Sequence, residues 1–123
     1  MKHAPGFLRL VEAVRPTIRE VSVEQVRALQ ASQEAFHFVD VREDDEWRVG
    51  FCEGAIHLGR GVIERDIEGV IPDRAAHVVL YCGGGFRSAL AAESLAKMGY
   101  TNVSSMAGGI RAWRDAALPE AKP

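Results

Sequence analysis

No stretch of this 123-residue chain approaches the roughly 20 consecutive apolar residues of a membrane helix. Charges of the two signs nearly cancel, at a formal net charge of −2. That removes the basic field on which nucleic-acid binding draws. Cysteine is scarce. The two present, Cys52 and Cys82, are too few for a disulfide framework and too far apart for zinc-ligand spacing. The four histidines (His3, His37, His57, His77) are scattered and add no ligand pattern. Charges interrupt Phe7-Leu8-Arg9-Leu10-Val11-Glu12 before the apolar core of a signal peptide can form. The expectation is a cytoplasmic protein with no membrane and no nucleic acid among its partners. The Asn-Gly signal of a tight hairpin is also missing, which favours strands joined by longer crossovers.

What is present is enough for one core. Hydrophobic residues make up 47% of the chain, and its length suits a single domain. Residues 5–15 carry Phe7, Leu8, Leu10, Val11 and Val14 on one helical face, and Pro16 is expected to end that helix. That face can pack on the rest of the chain or serve as a docking surface. Ile18 to Val21 suits a short strand, and Ser22-Val23-Glu24-Gln25 reads as a capping box opening a helix. Ala35 to Val41 is almost continuously apolar, as a buried parallel strand should be. Glu43-Asp44-Asp45-Glu46 opens a short helix and is expected to form its solvated start. Ala55 to Leu58 is a short strand candidate, and Val62 to Val70 is weakly helical. The strand at 77–81, the helix at 87–98 with Gly99 as its cap, the strand at 102–106 and a last helix around Ile110 to Trp113 complete the series. The expected divisions are a helical extension over 1–17, one domain over 18–117 and a frayed tail over 118–123. Alternating strands and helices point to an α/β domain with a mostly parallel sheet, in which ligands bind at the carboxyl ends of the strands.

At one such end lies Cys82-Gly83-Gly84-Gly85-Phe86-Arg87-Ser88, between an apolar strand and a helix. A helix N-terminus and turned-in amides stabilise negative charge, so this position favours a nucleophilic thiolate that faces a small bound anion. Glycine supplies the φ/ψ freedom and the close backbone approach that such a cradle needs. Each charge-assisted N–H contact contributes about 1.5–3 kcal/mol. The run lacks the Gly-Lys-Ser/Thr of a nucleotide loop. Arg87 either holds an anionic donor or braces the loop against a carboxylate. Ser88 is read as a helix N-cap or a further hydroxyl donor.

Four blocks in order carry a family. They are Phe38-Val39-Asp40-Val41-Arg42-Glu43 with Glu46-Trp47, Gly50 to Leu58, Cys82 to Ser88, and Gly108-Gly109-Ile110-Arg111-Ala112-Trp113. Together they resemble the single-domain rhodaneses, a family of sulfurtransferases. Phe51, Cys52 and Glu53 depart from the family pattern at His, an aliphatic residue and Pro. The resemblance implies a three-layer domain with a five-stranded central sheet flanked by helices. It implies catalysis by Cys82, with Gly83, Gly84, Gly85, Phe86, Arg87 and Ser88 around the substrate. The Cys82 thiolate would take the sulfane sulfur of a donor such as thiosulfate as a persulfide, then pass it to cyanide or a thiol, without metal or cofactor. The partners implied are thus a small donor anion, a cyanide or thiol acceptor, and a protein persulfide. Two other functions share the residues: a sulfur-carrier module with little turnover on small donors, and a cysteine phosphatase or arsenate reductase. The phosphatase loop carries five residues between cysteine and arginine; here there are four, Gly83 to Phe86. Asp40 and Arg42 are read as structural, Trp113 as packing or a wall beside the loop, and Arg60 as a surface residue or a second cation. Cys52 is either a packing residue or a resolving thiol for Cys82.

Overall fold

The computed structural model describes residues 2–123. Strands Arg19–Val21 (β1), His37–Asp40 (β2), Ile56–His57 (β4), Val78–Tyr81 (β5) and Val103–Met106 (β6) form one sheet in the order β1-β6-β5-β2-β4. Every pairing in it is parallel. Phe51–Cys52 (β3) and Glu120–Ala121 (β7) pair antiparallel as a separate small ribbon. The helices are Pro5–Val14 (α1), Val23–Ser32 (α2), Asp44–Val49 (α3), Ile63–Val70 (α4), Phe86–Lys97 (α5) and Gly109–Asp115 (α6).

The three layers follow from the alternation of side chains along β5, all four of whose residues are buried. Val78 and Leu80 face a cluster with Ile63 and Ile67 of α4 and Ala91, Ala92 and Leu95 of α5. Val79 and Tyr81 face the opposite cluster, with Val23 and Val26 of α2 and Ile110 and Trp113 of α6. Cys82 continues the first face and Cys52 belongs to the second. Helix α1 buries Val11 and Val14 and packs on α5, so that part of its apolar face is used within the chain, while Leu10 stays exposed. Pro16 does not stop the helical path at once: Arg15–Thr17 continue it as one 3₁₀ turn, where a proline near the start gives up no hydrogen bond.

The tail is not frayed. The Pro119 carbonyl accepts from the Trp113 indole N–H at 2.8 Å and from the Glu53 amide at 3.0 Å. Glu120 then pairs with Cys52 and Ala121 with Phe51. A polar, proline-bearing tail offers no periodicity to signal a two-residue strand. The pairing exists because a buried indole N–H and an edge strand both need an acceptor. Trp113 is fully buried on the α2/α6 side, which makes it a packing residue.

The sheet order also places the functional region. The chain leaves β2 toward α3 and β4 on one side and leaves β5 toward α5 and β6 on the other. The crevice at this switch point lies beyond the carboxyl ends of β2 and β5. The loop after β2 is locked by a buried ion pair. Arg42 donates to both Asp40 carboxylate oxygens, from Nη2 at 2.8 Å and Nε at 3.0 and 3.1 Å, and from Nη2 to the Gly50 carbonyl at 2.6 Å. Asp40 Oδ1 also accepts the Arg42 amide at 2.8 Å. Both residues are essentially without solvent contact, and their role is structural. Removing the carboxylate strands a buried guanidinium, so Asp40→Ala should lower the unfolding free energy by about 3–5 kcal/mol. Urea denaturation reads this directly, and a loss below about 1 kcal/mol would show that the pair is not holding the loop.

Candidate active site

The sulfur of Cys82 takes the place of a helix cap. Helix α5 begins after Gly85, whose φ of +98° puts it in the left-handed region and which has no side chain to accept from the first turn. The amide of Ser88, third residue of the helix, instead donates to Cys82 Sγ at 3.4 Å, and the Gly85 amide donates at 3.2 Å. The Ser88 hydroxyl lies 3.5 Å from the same sulfur and 2.8 Å from the Ser105 hydroxyl. Ser88 is therefore not the N-cap. It is a fully buried first-turn residue, and the helix starts at Phe86 because Gly85 can turn the chain there. Of the loop glycines only Gly85 needs a positive φ. A Cβ on Gly83 would crowd Arg87 Nη2 at 3.1 Å, while one on Gly84 would meet nothing closer than 3.8 Å.

The other end of the loop is pinned from behind. The amides of Ile110 and Arg111 donate to the carbonyls of Cys82 and Gly83 at 2.9 and 3.1 Å. In a trans peptide the N–H points opposite to the C=O, so the amides of Gly83 and Gly84 are turned away from α6. This docking requires glycine at 109. Its φ is +58°, and a Cβ there would collide with the Cys82 carbonyl and lie 2.6 Å from that of Gly83.

A cavity of about 440 Å³ opens over Cys82, walled by Glu46, Gly83, Gly84, Phe86, Arg87 and Arg111, with His3 and Phe7 completing one side. Arg87 is held bidentately by Glu46 of α3, Nη1 to Oε1 at 2.7 Å and Nη2 to Oε2 at 3.1 Å. The hydrogen bond from Arg87 holds the Glu46 carboxyl below its ordinary range, and Glu46 in turn raises Arg87. Glu46 is thus no plain solvated helix start. Its neighbours Asp44 and Asp45 do face solvent, and α3 is capped reciprocally by Glu43 and Glu46. Arg60 pairs with Glu64 at 2.9 Å and is not among the residues lining the Cys82 cavity. Arg111 is exposed and takes no part in the ion pairs of the described residues, whereas Arg42, Arg87 and Arg114 are each paired. The block Gly108 to Trp113 signals the fold, so Arg111 passes unnoticed in the sequence. What brings it to the cavity is the docking of α6 on the loop.

Cys52 is fully buried on the opposite face of the sheet. Burial pushes its thiol up to about 12, and its amide donates to the Tyr81 hydroxyl at 3.0 Å. It packs, and it is not placed to resolve a species on Cys82. Among the described residues no cluster of His, Cys, Asp and Glu fits a metal, and no helix is long and apolar enough to cross a membrane.

Parallel strands with a cysteine loop feeding a helix at the switch point define a class of α/β scaffold that sets a thiol against the start of a helix. The rhodanese-like domain model matches residues 22–116, and the chain belongs to that family. A relative, thiosulfate sulfurtransferase PspE of Escherichia coli, is 35% identical over 88 residues, 72% of this chain and 81% of its own. A solved protein of unknown function from Rhodopseudomonas palustris, described as a possible tyrosine phosphatase, superposes with a TM-score of 0.85 at 30% identity, covering 97% of this chain and 96% of that one. The polysulfide-sulfur transferase homodimer of Wolinella succinogenes superposes with a TM-score of 0.80 at 25% identity, covering 96% and 88%.

Two outcomes are expected. In native protein at mildly alkaline pH, iodoacetamide should label Cys82 and spare Cys52, whereas in urea both should react. A Cys52 adduct on native protein, located by peptide mass, would contradict the packing role. The Glu46–Arg87 brace should also show in acid. The folded carboxyl titrates lower than the ordinary value of 4.5. Its stabilisation is therefore complete above that pH and is lost as pH falls through the depressed folded value. Thermal melts across this window should lose that component in Glu46→Gln.

Proposed function

We propose that the protein is a sulfurtransferase that carries sulfane sulfur on Cys82. The observation that supports this most directly is the pair of amides, of Gly85 and Ser88 at the start of α5, donating to Cys82 Sγ at the floor of a cavity. Backbone N–H donors of this kind can hold a sulfur that carries negative charge during the transfer. The thiolate attacks the outer sulfur of thiosulfate. The S–S bond breaks, and its electron pair leaves with sulfite. Cys82 keeps the transferred sulfur as a persulfide. Cyanide or an acceptor thiolate then attacks that outer sulfur, giving thiocyanate or a new persulfide and returning the Cys82 thiolate. The same sequence serves a persulfide on a partner protein as donor.

The cations divide the work. Arg87 is neutralised by Glu46 and acts as a brace that fixes the last turn of the loop. Arg111, exposed at the cavity wall, meets the anionic end of the donor. Gly83, Gly84, Gly85, Phe86 and Ser88 shape the space around the sulfur. The Glu46 clamp also weighs against a phosphatase, in which the loop arginine must face a phosphate with its own fork of donors. Both cysteines are free, in keeping with a cytoplasmic setting.

Intact-mass analysis after thiosulfate tests the reading. The expected result is a gain of one sulfur atom, removed by cyanide and absent in Cys82→Ser. A mass unchanged by thiosulfate and by a persulfide donor would overturn it. Loading that occurs without multiple turnovers would mark the protein as a carrier instead.

A further inference from the structure

The cavity over Cys82 is larger than thiosulfate or cyanide needs, and its walls are chemically unequal. At about 440 Å³ it falls in the range of pockets that take drug-sized organic ligands. On one side stands the unpaired cation of Arg111. On the other stands an aromatic wall whose members come from two separate parts of the chain. The ring of His3 meets that of Phe86 edge-on at 4.7 Å and lies 5.2 Å from that of Phe7. Phe7 and Phe86 are themselves edge-to-face at 6.0 Å. The Arg15 guanidinium sits 5.2 Å from the Phe86 ring centroid, holding that ring from the α1 side. All three rings are only partly buried and line the cavity. His3 and Phe7 precede the segment that the rhodanese-like domain model matches, residues 22–116, so α1 and the residues before it supply the part of this wall that lies outside that segment.

We propose that His3 and Phe7, with Phe86, form an aromatic subsite that determines specificity. It selects sulfur donors carrying an aromatic body beside an anionic sulfur group. The proposal rests on the sulfurtransferase reading above. Its probe is an aryl thiosulfonate. The Cys82 thiolate attacks the terminal sulfur and the S–S bond breaks. Its electron pair leaves as the aryl sulfinate, and the persulfide remains on Cys82. In the bound donor the ring lies against Phe7 and Phe86, and the sulfonyl oxygens face Arg111.

The test compares benzenethiosulfonate with methanethiosulfonate, which share charge and reacting atoms and differ in the body alone. The wild-type kcat/KM ratio should favour the aromatic donor about tenfold or more, the scale at which an apolar pocket discriminates. Phe7→Ala should reduce the ratio about tenfold, Phe7→Leu should give an intermediate value, and His3→Ala should reduce it too. Leu10→Ala serves as control, since Leu10 is on the same helix but exposed and does not line the cavity. A wild-type ratio near one overturns the proposal. So does a ratio that Phe7→Ala leaves unchanged, or one that Leu10→Ala lowers as much, which would mean a general disturbance of α1. If thiosulfate still loads Cys82 in these cases, the subsite alone has failed. If no donor loads it, the sulfurtransferase reading has failed.

Discussion

The sulfur of Cys82 stands where a helix cap would be, and most of the architecture serves to keep it there. Helix α5 starts behind a glycine with no side chain, so its early amides lack the usual acceptor. Two of the amides around this start turn to the sulfur. The position is fixed from the opposite direction by α6, whose amides hold the carbonyls of Cys82 and Gly83. One peptide run is thus gripped on both faces: oxygens toward one helix, sulfur toward another. Since α5 and α6 lie on opposite sides of the sheet, the grip crosses the carboxyl end of the sheet. It depends on the two layers keeping their registration.

The loop after β2 supplies the third point of support. The Asp40–Arg42 pair fixes the chain just past the sheet, and α3 then presents Glu46 to Arg87. A buried pair and a half-exposed pair play different parts. The first is shielded and sets the frame. The second is reached by water and salt, and its energy is correspondingly modest. What it contributes is direction: Arg87 is turned to α3, which leaves Arg111 as the unpaired cation lining the cavity. The electrostatics of the site therefore depend on which arginine is occupied.

The sequence made the fold legible wherever local chemistry and long-range packing agree. Ser22 and Gln25 form the capping box their types suggest, and the apolar residues of β5 are buried on both faces. Strand Val103–Met106 lies within the expected segment. Where structure came from distant partners, residues alone were silent. Glu120 and Ala121 became a strand because β3 offered an edge. Glu46 looked like one more acid at a helix start, and only the meeting of α3 with the Cys82 loop gave it a partner. Gly83 to Gly85 read as three equal contributors. Their roles diverge because the path of the backbone, which no side chain encodes, asks for a left-handed turn at the last of them.

Gly84 is the exception in a loop that is otherwise constrained. Its neighbours are held by the crowding of Arg87, by the turn into α5 and by the seat of Gly109. A Cβ at 84 would stand 3.8 Å from both Arg111 Nη1 and the ring of Phe86, between the cationic and aromatic walls. The backbone can therefore hold still while one side chain is exchanged at the meeting point of the two chemistries. A lineage built on this frame can drift in substrate preference by single substitutions there, without first re-evolving the machinery that holds the sulfur.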